Sequence, residues 1–204
     1  FRVANGITLE DARRAAELAE AAGADAIHVS AYADPTCGVA FTDAPLVHEP
    51  CGYLAFAERI KRGLRIPVIA VGRIEPGEAD AAVRDGKADF IAMARGLLAD
   101  PALPRKLAAG RPEDVRPCIY CYTCVGRIFL NESVACAVNP AAGRDAEFET
   151  VPAKRPRRVL VVGGGPAGME AARIAALRGH RVTLCERGPR LGGVPCDQRR
   201  GSRA

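Results

Sequence analysis

Apolar residues in the first part of the chain recur at two periods. After Thr8, the positions Ala12, Ala15, Ala16, Ala19 and Ala22 fall three or four apart on one helical face, and Gly23 is placed to end that helix. Thr8 stands three residues before Asp11, the spacing of a capping box, in which two side chains satisfy each other's backbone N–H groups. The apolar run at 26–29 then reads as a short buried strand, with His28 inside it as a core or hydrogen-bonded histidine, and the Asp-, Pro- and Gly-bearing stretch 31–38 reads as a loop. The pattern repeats. A helix is expected over 53–62, with Gly63 and Pro67 leading into the strand "PVIAVG"; a third helix starts near Pro76 and ends at Gly86, before a strand at 89–94 closed by "ARGLLADP". Val68, Ile69 and Val71 show no polar alternation, which suits a parallel strand covered on both faces.

Strand and helix alternating through short connections is the repeat of a (β/α) barrel or a doubly wound sheet. Three strands cannot close a barrel, so this region reads either as an open three-stranded α/β domain or as the last part of a (β/α)8 barrel whose beginning lies outside the sequence; the second is favoured. Beyond it, 108–116 leads into a cysteine-bearing segment, "DAEFETVPAKRPRR" reads as a polar linker, and 158–193 reads as strand, glycine turn, helix and strand. The expected divisions are 1–110 and 158–204, both of α/β character, with the four-cysteine segment 111–145 and the linker 146–157 between them.

With 204 residues, 49% hydrophobic, the chain is too apolar to be largely disordered. The net charge of +5 is modest, and the basic runs at 155–158 and 199–203 are short enough to be a solvated linker and terminus. Trp is absent and aromatics are 5%, so no base-stacking surface and no nucleic acid partner is expected. No secretory signal opens the sequence, and its longest apolar runs are too short to span a bilayer, so the expected setting is a soluble protein of the cytoplasm without a membrane partner.

Four of the eight cysteines fall within nineteen positions. Cys118, Cys121 and Cys124 follow one another at three-residue spacing, and Cys136 follows after eleven intervening residues. Thiolates are soft ligands, and four of them hold zinc or an iron-sulfur cluster. The spacing favours [4Fe-4S], because a compact loop wraps three corners of a cubane while a distant cysteine completes it; structural zinc usually takes two separated pairs. Zinc and unliganded thiols are the alternatives. Tyr120 and Tyr122 between the ligands read as local shielding. Cys37, Cys51, Cys185 and Cys196 lack such spacing and read as incidental or buried thiols, with Cys185 in the strand "VTLCE" expected at a buried apolar position.

Near the end of the chain, Gly163, Gly165 and Gly168 stand in G-x-G-x-x-G order directly after the apolar strand 159–162. The first glycine allows a tight turn, the second lets backbone approach a pyrophosphate, and the third permits close helix-strand packing. A helix over 167–177, Gly179 at its stop, and a strand 182–185 ending at Glu186 complete the context. Glu186 lies eighteen residues after Gly168, near the distance at which a carboxylate binds adenosine ribose hydroxyls, and the helix N-terminus suits the pyrophosphate. Glu186 and the adjoining Arg187 are therefore expected to face an adenine dinucleotide, either FAD or a nicotinamide cofactor. A glycine turn kept for packing is the plainer alternative.

The stretches "GADAIHVS", "IPVIAVGRIEPGEAD", "GKADFIAMARGLLADPALPRKLAAGRPEDVRPCIYCYTCVGRIF", "CAVNPAAGR" and "VLVVGGGPAGMEAARIAALRGHRVTLCERGPRLGG" together resemble the iron-sulfur flavoenzymes related to old yellow enzyme, the group of 2,4-dienoyl-CoA reductase and trimethylamine dehydrogenase. The resemblance covers nearly all of 6–193. It implies the C-terminal part of an FMN-binding TIM barrel, a [4Fe-4S] segment, and the start of a Rossmann-like domain for FAD served by NAD(P)H, the Leu191-Gly192-Gly193 motif leaning towards FAD. Gly72, Arg73, Ala94 and Arg95, after successive barrel strands, are the implied FMN phosphate site, where backbone N–H groups and two guanidiniums meet a dianion. Surface ion pairing is the plainer role for the two arginines. The implied reaction is NAD(P)H-dependent reduction of an activated C=C bond in a small-molecule substrate such as an enoyl-type thioester, with electrons passing from FAD through the cluster to FMN. Amine oxidation on the same architecture, and a non-enzymatic electron-transfer fragment, are the alternatives. In the reductases the proton comes from a Tyr of an earlier barrel loop with a His after the strand matching "DAIHVS"; here the matching loop "AYADPTCGVAF" has no His, leaving Tyr32 and, further along, His48 as the catalytic candidates. Family members carry five more barrel strands before this region and a longer flavin and nicotinamide region after the "LGG" motif, so the sequence is expected to be a fragment.

Overall fold

The computed structural model of the chain describes residues 6–31 and 49–193. Tyr32, Cys37, His48 and Cys196 lie outside the described residues. The chain is α/β and divides into two compact units, Phe1–Arg144 and Asp145–Ala204.

The first unit begins with α1 (Leu9–Ala21), and the capping box forms as its spacing predicts: Asp11 N–H donates to Thr8 Oγ1 at 3.1 Å and Thr8 N–H to Asp11 Oδ2 at 2.9 Å. Ala22 caps the helix and Gly23, at φ 96°, turns the chain away. There follow β1 (Ile27–Val29), α2 (Leu54–Lys61), β2 (Val68–Ala70), α3 (Pro76–Arg84), β3 (Phe90–Ile91), α4 (Ala94–Ala99), α5 (Leu103–Ala108), a 3₁₀ turn at Pro112–Asp114 and α6 (Thr123–Phe129). The strands pair in parallel in the order β1-β2-β3, with Ile27 opposite Val68 and Ile69 opposite Phe90. The third strand is shorter than the strand expected at 89–94: only Phe90 and Ile91 pair, and Ala94 already begins α4.

Val29, Val68 and Ala70 from the sheet pack with Ala16 of α1 and Ala57 and Ile60 of α2 in one core. Val68 and Ala70 are fully buried while Ile69 is half-buried, so the central strand is covered much better on one face than on the other. Two carboxylates fix the ends of the elements. Glu20 Oε1 accepts the N–H groups of Arg65 and Ile66 at 2.8 and 3.1 Å, pinning the entry to β2 against α1. Asp89 accepts Lys61 Nζ at 2.7 Å and Val68 N–H at 2.9 Å, tying α2 to the start of β2. His28 is exposed, contrary to the core position expected of it, because the pleat turns alternate side chains outward and Val29 takes the buried face.

The second unit contains β4 (Arg158–Val162), α7 (Pro166–Leu177) and β5 (Arg181–Cys185), the strands parallel with Val161 opposite Leu184. The helix packs on both strands. Every second strand residue faces away from it, so Leu160 and Val162 are 64% and 81% exposed. Cys185 shares that phase and is exposed, which corrects the buried position expected from its apolar neighbours: among the described residues only one face of this sheet carries a helix.

Candidate functional site

Parallel strands bring their C-terminal ends to one side of a sheet, and in the first unit the segments leaving β1, β2 and β3 enclose a hollow of about 310 Å³, the size of a small-ligand site. Gly72 and Arg73 line it after β2, Ala94 and Arg95 after β3, and His28 and Ser30 from β1 and its end. Two adjacent pairs, twenty-one positions apart, thus line one hollow. The glycine is dictated by its surroundings: φ is 115°, and a Cβ there would lie 2.6 Å from Cδ2 of the buried Tyr53 ring. Arg73 itself adopts φ 51°, a left-handed conformation uncommon for a long side chain. Arg95 Nη1 is buried and has no hydrogen-bond partner among the described residues. A buried guanidinium nitrogen left unmatched is costly, and an anionic ligand oxygen would satisfy it; the cradle fits a phosphate.

Cys118, Cys121, Cys124 and Cys136 line a second, smaller hollow, with Arg95, Tyr120 and Tyr122 beside them. Cys124 is carried by α6, an element the spacing alone did not announce, and Cys136 returns to the site from twelve positions further on. The placement of that return depends on Asn139, which is buried: its Nδ2 donates to Leu98 O at 2.8 Å and its Oδ1 accepts Ala141 N–H at 3.2 Å. Burial pushes the thiols of Cys118 and Cys124 above their ordinary value, whereas the Thr123 hydroxyl and N–H hold Cys121 below it. Among the described residues no three His, Cys, Asp or Glu side chains converge on a single-ion site. Four soft donors around one hollow nevertheless suit a polynuclear sulfide group, whose corners stand further apart than the ligands of one ion.

Tyr120 is more than a local shield. Its hydroxyl donates to Glu75, its ring lies 4.6 Å from the Arg73 guanidinium and 5.0 Å from that of Arg95, and it lines both hollows. Glu75, Tyr53, His28 and Ser30 were also outside the site residues read from the sequence; their only sequence signal is position, His28 within β1, Ser30 just after it, and Tyr53 and Glu75 just before α2 and α3.

In the second unit Gly163 adopts φ 103°, a Cβ on Gly168 would collide with the Gly163 carbonyl oxygen, and the space over Gly165 is open. Gly163, Gly165 and Gly168 therefore meet the demands of a tight turn, ligand approach and close packing respectively. Glu186 spends both oxygens on backbone, accepting Gly164 N–H at 2.6 Å and Gly188 N–H at 2.7 Å. Those bonds, the one from Gly188 foremost, hold its carboxyl below the ordinary glutamate value. Arg187 is exposed beside it.

The sequence profile of the NADH:flavin oxidoreductase / NADH oxidase family matches residues 6–114, and that of FAD dependent oxidoreductases matches 158–200. A metal reductase of Desulforamulus reducens is 49% identical over 146 residues, 71% of this chain and 22% of the relative. An NADH oxidase of Thermoanaerobacter brockii is 44% identical over 202 residues, 94% of this chain and 30% of the relative. The solved structure of a 2-naphthoyl-CoA reductase in complex with 2-naphthoyl-CoA is 35% identical, with a TM-score of 0.79 over 90% of this chain and 28% of its own. The chain spans less than a third of the length of these proteins. Among the described residues no helix is long and apolar enough to cross a membrane.

Proposed function

The chain belongs to the NADH:flavin oxidoreductase / NADH oxidase family, and on that premise we propose that it carries the flavin-phosphate and iron-sulfur portion of an NAD(P)H-dependent reductase of activated C=C bonds. The observation that carries this reading is the convergence of Gly72, Arg73, Ala94 and Arg95 on one hollow beside the four-cysteine hollow. Three parallel strands with the hollow at their C-terminal ends are the last part of a (β/α)8 barrel, and β4-α7-β5 is the start of a Rossmann-like domain; the bounds 1–110, 111–145, 146–157 and 158–204 describe that plan. Flavin supplies hydride transfer and a four-thiolate cluster supplies one-electron transfer when these groups are bound.

The residues of this chain have separate tasks. Arg73 and Arg95 bind the FMN phosphate, and Gly72 lets the backbone press against Tyr53 so that the strand end faces it. Cys118, Cys121, Cys124 and Cys136 hold the [4Fe-4S] cluster, with Tyr120 and Tyr122 limiting water at the thiolates. Gly163, Gly165 and Gly168 seat an FAD pyrophosphate on the N-terminus of α7. Glu186 orders that turn through Gly164 N–H, and its Gly188 bond and the neighbouring Arg187 place the end of β5 near the adenosine side. Tyr32 and His48 are the candidates for holding the proton that the reduced carbon takes up. The substrate class, an enoyl-type thioester, draws on the 2-naphthoyl-CoA reductase among the similar structures.

Anaerobic purification of the full chain with flavin, iron, sulfide and zinc quantified on one sample tests the reading. About four irons and four sulfides per chain together with bound FMN are expected. Zinc in place of iron, without flavin, would overturn it.

A further inference from the structure

Tyr120 occupies an unusual position for an aromatic residue. Its backbone lies at φ 51° and that of Tyr122 at φ 65°, the left-handed region that bulky side chains avoid unless their surroundings over-determine them. For Tyr120 the surroundings are explicit. Its hydroxyl is held by Glu75, the residue preceding α3, and its ring lies against two guanidiniums, Arg73 at 4.6 Å and Arg95 at 5.0 Å. These arginines come from different strand ends, and Tyr120 comes from the cysteine loop. One ring thus links three segments that are far apart in sequence.

On the reading of Arg73 and Arg95 as the pair that meets the flavin phosphate, we propose that Tyr120 is the positioning residue of that grip: its ring sets where both guanidiniums lie, and Glu75 sets the ring. An arginine side chain free to change rotamer loses entropy when it engages a ligand, whereas one already stacked on an aromatic face has lost most of it beforehand. Stacking leaves the guanidinium edges, with their N–H donors, available to a phosphate monoester. The ligand feature recognised through Tyr120 is therefore the phosphate of FMN, and the isoalloxazine is indifferent to it.

Separate titrations of the full chain with FMN and with riboflavin, read by quenching of flavin fluorescence, isolate that feature. Tyr120→Gly removes the ring at a backbone conformation that glycine prefers, and Tyr120→Phe keeps the ring without the hydroxyl. The wild-type chain is expected to bind FMN more tightly than riboflavin. Tyr120→Gly should cut that preference about tenfold with riboflavin affinity unchanged, and Tyr120→Phe, which keeps the ring but loses its tie to Glu75, should cut it by a smaller factor. An FMN preference in Tyr120→Gly equal to the wild type, an equal weakening of both flavins, or a loss in Tyr120→Phe as large as in Tyr120→Gly would overturn the positioning role. A wild-type chain that does not prefer FMN to riboflavin would instead overturn the phosphate reading of Arg73 and Arg95 on which that role rests.

Discussion

Asp100 shows how one side chain can hold a site without touching it. It is 3% exposed and sits between α4 and α5, where it accepts Lys106 Nζ at 2.6 Å, Arg116 N–H at 2.9 Å and Ala102 N–H at 3.0 Å. The Arg116 bond anchors the chain two residues before Cys118. Burial alone would raise its pKa, but the Lys106 ammonium and the two backbone donors outweigh that and leave it below the ordinary aspartate value. The sign of the pH effect follows: a carboxyl lowered in the folded state contributes stability above the unfolded value and loses it as pH falls through the folded one. Urea midpoints of the wild-type chain are expected to fall between about pH 5 and pH 2, and Asp100→Asn should flatten that part of the slope while costing about 2 kcal/mol at neutral pH. An unchanged slope in Asp100→Asn would remove Asp100 from the acid response. At this scale Gly72, Arg73, Ala94 and Arg95 came from the resemblance rather than from any local pattern; what the structure adds is that all four line one hollow. Cys185 and His28 were misjudged because phase within a strand decides burial, and an apolar neighbourhood in sequence does not report phase.

Among the elements, α1 was readable from its first four residues, since a capping box is a contact between side chains three positions apart. The β4-turn-α7 unit was readable for the same local reason. Its glycines follow in the order that steric demand requires, and the tightest of these demands falls on Gly168, whose hydrogen faces the Gly163 carbonyl. Gly168→Ala must push α7 away from the turn, and such overpacking costs about 1–3 kcal/mol. The expected outcome is loss of FAD retention on gel filtration with FMN and iron retained, because the first unit is untouched; equal loss of both flavins would contradict it. Less legible were α4 and α6. The run "ARGLLA" follows a strand directly and lacks a side-chain cap, and α6 begins from a left-handed Tyr122, so neither carries the usual start signal.

For the whole molecule, the division into Phe1–Arg144 and Asp145–Ala204 places the stretch between the cysteine segment and β4 at the border of two compact units. Residues 145–157 have no regular element, and Lys154 is exposed. Limited trypsin digestion is expected to separate the units by a first cut after Lys154, with the four-cysteine segment retained in the larger piece, as mass spectrometry would show. Early cuts within α1, α2 or α3 would contradict that organisation. The exposed Leu160 and Val162 belong to the same scale: every second residue of this apolar strand faces away from α7, and only one face of the sheet carries a helix among the described residues.

The sequence by itself determined the features that short-range chemistry fixes: the capped first helix, the alternation of helix and strand, the spacing of Cys118, Cys121 and Cys124, and the turn through Gly163, Gly165 and Gly168. Each depends on residues within a few positions of one another, so the local pattern is sufficient. Tertiary structure decided what meets. Parallel register sets Arg73 and Arg95 along one hollow, Asn139 pins the segment that returns Cys136, and Tyr120 reaches Glu75 across forty-five positions. Such meetings are governed by packing and register summed over the whole unit, which no window of the sequence contains.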